Sequence, residues 1–180
     1  RIELCSALEI GGLTPSCGLI REAIDLKLLP IHCLIRPRPG HFFYSKEEIK
    51  VIEKNILNAS ELGCDGVVVG AHDQNFKLDF SLLKRWKTLA GSVKITFHRA
   101  FDVLVNPLDA INQLIDLGFD SILTSGQKEK AEEGIDNLNY WNTKFGSKII
   151  IMPGSGVGVS NCKKFKKAGF KYIHLSAGED

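Results

Sequence analysis

No apolar run in this 180-residue chain approaches the ~18–20 residues needed to cross a bilayer, and no signal-peptide pattern opens it. Excess charge is also missing. Lys+Arg 23 against Asp+Glu 21 leaves a formal net charge of only +2, which gives no electrostatic case for nucleic acid or a polyanionic surface. The densest basic stretch, Lys163-Lys164-Phe165-Lys166-Lys167, has an apolar residue at its centre and reads as the solvated face of a helix. The five cysteines (Cys5, Cys17, Cys33, Cys64 and Cys162) are odd in number, scattered, and contain no CxxC pair. That pattern argues against a disulfide framework and a structural zinc knuckle. Reduced thiols and the lack of a membrane segment predict a cytoplasmic protein with no nucleic-acid or membrane partner.

What is present is a 44% hydrophobic chain, enough for a real core, organised by alternation. Seven short apolar runs, at residues 1–5, 31–38, 66–71, 94–102, 121–126, 149–156 and 172–178, end in polar residues and lead into amphipathic stretches. Runs rich in Val, Ile and Leu fit buried parallel strands, and the stretches between them suit βαβ crossovers. Helices are predicted at 18–29 after a Thr14-Pro15 start, at 46–62 after a Ser45/Glu48 capping box and before Gly63, and at 79–89. Three more are predicted at 107–117, 129–145 and 160–168. These features predict one α/β domain over residues 1–180, a TIM (β/α)8 barrel with seven of its eight strands. Because the chain opens in a strand without Met and stops just past another, it reads as a fragment lacking the first strand and helix and the final helix.

Strand side chains alternate between faces. Parity places Glu3, Cys5, Arg36, Arg38, His98, His174 and Ser176 inward, where charge is costly unless it is paired or meets a ligand. His98, Arg99 and Asp102, with Arg36, form a candidate acid–base set for an anionic substrate. Gly154-Ser155-Gly156-Val157 and Ser176-Ala177-Gly178 are candidate phosphate loops, because only Gly lets backbone N–H groups approach closely. Ser125 and Gly126, ending their own strand, join the ligand-binding set.

The strings RIELCSALEIGGLTPS, IRPRPGHFFYS, TFHRAFD, LTSGQ, MPGSGV and HLSAG, in this order, resemble the CutC family of copper homeostasis proteins. The resemblance implies a TIM barrel, a homo-oligomer (dimer or tetramer), a cytoplasmic home that is also nuclear in animal members, and binding of monovalent copper (Cu+). It makes Cys5 the metal ligand, with its partner cysteine in a strand that would precede this chain; Cys17 is a candidate substitute on its own position, in the first turn of the helix after Cys5. Where the family usually reads RPRGGDF, this chain has Arg36-Pro37-Arg38-Pro39-Gly40-His41-Phe42, so His41 stands in place of an acidic residue. Three readings follow: a copper-binding protein, an enzyme for a small anionic or phosphorylated substrate, and a non-catalytic oligomeric scaffold.

Overall fold

The structure is a computed structural model and describes residues 1–176. The chain forms two compact units, Arg1–Thr96 and Phe97–Asp180.

In the first unit, β1 (Ile2–Leu4), β2 (Ile31–Leu34) and β3 (Gly66–Val69) run parallel, with Glu3 opposite His32 and Cys33 opposite Val67. β4 (Lys94–Phe97) begins in this unit, its Lys94 N–H donating to Asp65 O at 3.0 Å. The helices are α1 (Cys17–Asp25), α2 (Lys46–Leu62) and α3 (Phe80–Ala90). The Ser45/Glu48 capping box opens α2 and Gly63 closes it in the left-handed conformation. Ile52, Ile56 and Ala59 then bury the stripe that helical spacing predicts. α1 begins differently from the expectation. Ser16 caps it, accepting from Leu19 N at 3.2 Å, because Thr14 is already used: its Oγ1 donates to Arg36 O and accepts from Arg36 N.

The second unit holds a 3₁₀ turn (Arg99–Val103), α4 (Pro107–Asp116), β5 (Ser121–Thr124), α5 (Ile135–Phe145), β6 (Ile150–Pro153) and α6 (Cys162–Lys167). β5 and β6 pair in parallel, Ser121 with Ile150 through Thr124 with Pro153. The helix expected over 129–145 begins only at Ile135. Ser155 takes the backbone groups that a helix would need, its Oγ donating to Glu129 O and its carbonyl accepting from Ala131 N.

The barrel expectation is corrected. Among the described residues the strands form one six-stranded sheet in the order β1-β2-β3-β4-β5-β6, short of the eight strands that closure needs. The seventh expected strand, 172–178, is not a strand where it is described. His174 N–H donates to Pro153 O at 2.8 Å, yet Tyr172 and Leu175 stay about half exposed, whereas a parallel strand is normally covered on both faces. Its end, Ala177-Gly178, lies outside the described residues. No helix among the described residues is long and apolar enough to cross a membrane.

His32 gives the first unit a pH dependence. The ring is buried on β2, and burial, with help from Arg1 and Lys94 against the opposing pull of Asp65, lowers its pKa to about 4. The unfolded chain therefore takes up the proton first, below about pH 6.5, and the folded chain only near pH 4. Stability is fully present above pH 6.5 and falls through that window by at most about 3 kcal/mol. Denaturant unfolding between pH 7 and pH 4 is expected to show this loss, and a His32→Gln variant a flatter profile.

Candidate functional site

The two arginines expected to meet a ligand in the first unit are engaged by the protein instead. Arg36, 8% exposed, donates through Nη1 to the carbonyls of Ile10, Gly11 and Gly12 and through Nη2 to Gly40 O. It also lies over the Phe42 ring, 5.4 Å from the centroid. Arg38 pairs with Glu48 of the capping box and donates to the carbonyls of Pro39, His41 and Phe43. That pairing, followed by the Ser45 N–H, holds the Glu48 carboxyl below its ordinary range. Both arginines brace loops.

Cys5 is half-buried beside Gly12, where an added Cβ would stand 3.3 Å from its sulfur. Burial, then the Glu3 carboxylate, pushes its thiol pKa up. Copper(I) prefers a thiolate with further soft ligands. Among the described residues no group of three or more His, Cys, Asp or Glu side chains is placed to hold a metal ion. The residues present here do not fit a copper centre.

His72, absent from the set that strand parity predicts, lies just beyond the end of β3. Its ring is 5% exposed, stacked on Phe76 with centroids 4.8 Å apart, and its Nδ1 lies 2.7 Å from Asp73 O. A carbonyl can only accept, so Nδ1 carries the proton and the neutral ring keeps its lone pair on Nε2. The signal was in the sequence: a His directly after an apolar run.

In the second unit the expected residues do come together. Asp102 is the hub, its side chain 8% exposed. Its carboxylate accepts from Arg99 Nε at 2.9 Å, from the Thr124 hydroxyl, from Ser125 N at 3.0 Å and from Gln127 N at 3.2 Å. A carboxylate filled this way is a clamp rather than a proton carrier. It ties the turn after β4 to the loop after β5, although it lies more than twenty residues from three of these partners. Thr124 and Gln127 were not foreseen, because nothing local marks such a long-range bond.

The clamp also aims Arg99. Its Nη2 donates to Ser125 Oγ at 3.2 Å, and the Ser125 hydroxyl in turn donates to Lys128 O. Held along that edge, the Arg99 side chain is still 41% exposed, and its Nη1 has no hydrogen-bond partner among the described residues. Gly126 follows in the left-handed region at φ 74°, and an added Cβ would stand 2.4 Å from Gly134 O. His98 is buried, and its Nδ1 accepts from Ala100 N at 3.1 Å, which puts the proton of the neutral ring on Nε2.

After β6, Gly154 packs against Leu123, with His174 Cβ also close, and Gly156 lies under the stem of Lys130. Ser176, the last residue described, is exposed. Glu3 is half-buried on β1, opposite His32.

The CutC family pattern matches residues 1–179. The chain belongs to the CutC family. It is 44% identical over 179 residues to a CutC family protein of Proteus mirabilis (strain HI4320), covering 99% of this chain and 71% of that one. A CutC family protein of Pectobacterium atrosepticum is 42% identical with the same coverage. Among solved structures, that of CutC from Streptococcus agalactiae superposes with a TM-score of 0.92 at 34% identity, over 97% of this chain and 87% of that one. The aldolase QR15 superposes with a TM-score of 0.66 at 14% identity, over 92% of this chain and 77% of that one, a likeness of fold alone. This CutC family member thus carries its best-formed polar cluster around Arg99, not around Cys5.

Proposed function

We propose that this protein is an enzyme acting on a small anionic substrate, with Arg99 as the principal contact and His98 as the group that moves a proton. The observation that carries the reading is the Arg99 guanidinium: fixed along one edge by Asp102 and Ser125, it keeps Nη1 open beside solvent. An arginine tethered in this way presents pre-oriented donors, which lowers the entropy lost when a carboxylate or phosphate docks. Lys128, exposed and in no salt bridge among the described residues, adds positive charge on the same loop. His98 stands next to Arg99 in the chain with its Nδ1 committed to the Ala100 N–H, and an imidazole held in place is suited to general acid–base chemistry. Of the set Arg36, His98, Arg99 and Asp102, the first and last serve as braces in this reading.

Calorimetric titration with malonate tests the proposal. Loss of a hydrogen bond to a charged group should weaken binding about tenfold or more in Arg99→Met. Arg85→Met, which removes only the surface pair between Arg85 on α3 and Glu53 on α2, should bind as the wild type does. Equal affinities for the Arg99→Met variant and the wild type would remove Arg99 from the site.

A further inference from the structure

We infer that the substrate is a phosphate ester whose phosphate group rests on residues 154–157 and Lys130, an inference that builds on the anionic-substrate reading above. Polarity in this loop is lopsided. The carbonyl of Ser155 accepts from Ala131 N at 3.0 Å, and that of Gly156 from Asn161 Nδ2 at 2.8 Å. The N–H groups of Ser155, Gly156 and Val157, in contrast, donate to no partner among the described residues. Acceptors are thus spent on the protein while successive donors remain open.

The backbone bends in a manner that groups those donors. Ser155 and Gly156 are consecutive left-handed residues, at φ 79° and 65°. Ser155 bears a side chain in that conformation, and its hydroxyl bond to Glu129 O at 2.8 Å helps to hold it there. Runs of N–H groups in such turns make concave anion sites. Above the turn lies Lys130, whose Cγ would be 3.1 Å from a Cβ built on Gly156, so its stem crosses the loop, and its ammonium carries no salt bridge among the described residues. Several converging donors and a flexible point charge match a tetrahedral dianion with three free oxygens better than a flat carboxylate, which the Arg99 fork suits. Phosphate on the loop after β6 and a second polar group toward Arg99 define the substrate class.

The test is a ¹H–¹⁵N NMR titration of the full chain with inorganic phosphate and, separately, with malonate. Phosphate is expected to shift the amides of Ser155, Gly156 and Val157, and Lys130→Met to weaken phosphate binding about tenfold while leaving malonate affinity unchanged. If phosphate moves only the signals of Arg99 and Gln127 and binds equally well to Lys130→Met, the phosphate subsite is overturned and the anionic-substrate reading stands. If neither anion moves any of these signals, both fall.

Discussion

Replacing Asp102 with Ala is expected to destabilise the protein by about 3–4 kcal/mol, the largest effect of any single substitution near the site. The carboxylate is the shared acceptor for Arg99 Nε, the Thr124 hydroxyl and the amides of Ser125 and Gln127. Thr124 and Ser125 are fully buried, so their donors would find no water when the acceptor disappears. A buried donor left unpaired costs about 1–3 kcal/mol, more than a made hydrogen bond contributes, and this change leaves more than one. The half-exposed Arg99 contributes less to the loss, since solvent can rehydrate it. Asp102→Asn should cost less, about 2 kcal/mol, because one oxygen survives while the amide sets donor against donor. Urea unfolding of the two variants measures the difference, and hydrogen exchange at the Ser125 and Gln127 amides should quicken in both. Wild-type stability in Asp102→Ala would show that the clamp is dispensable.

Gly126→Ala is expected to cost about 3 kcal/mol, from two causes acting together. The position requires φ 74°, where an L side chain is strained, and the new Cβ would stand 2.4 Å from Gly134 O and 2.9 Å from Gly134 Cα. Both obstacles are backbone, which no rotamer change can move aside. Gly134 meets the same wall from the other side, since its Cβ would stand 2.0 Å from Ser125 O. One close approach of two chain segments therefore explains both glycines. The paired variant should cost less than the sum of the single ones, because the first substitution already forces the segments apart. Thermal or urea unfolding of the single and double variants checks this, and strict additivity would contradict a shared contact.

The parts of the fold set by neighbouring residues could be read from the chain. The Ser45/Glu48 box and Gly63 bracket α2 as expected, because caps depend on residues a turn apart. Expectations fail where a distant residue competes for the same backbone. Thr14 has the composition of a cap, yet Arg36 occupies it. Residues 129–134 have helical character, yet Ser155 claims their backbone groups.

The site follows the same division. Alternation along a strand predicts which face a side chain takes but not what it meets there. Arg36 and Arg38, drawn as ligand contacts, spend their donors on carbonyls and Glu48. For Cys5 the chain shows a thiol at the end of a strand, while partial burial, then the nearby Glu3 charge, pushes its pKa up. The Arg99–Asp102 pair was legible at three residues' separation, whereas the reach of Asp102 to Thr124, Ser125 and Gln127 was not.

A crystal structure of the full chain grown in malonate puts the guanidinium itself on trial. A carboxylate within hydrogen-bond distance of Arg99 Nη1, with the bonds to Asp102 and Ser125 intact, is the result this account predicts. Malonate bound elsewhere, with Arg99 Nη1 facing only water, would contradict it.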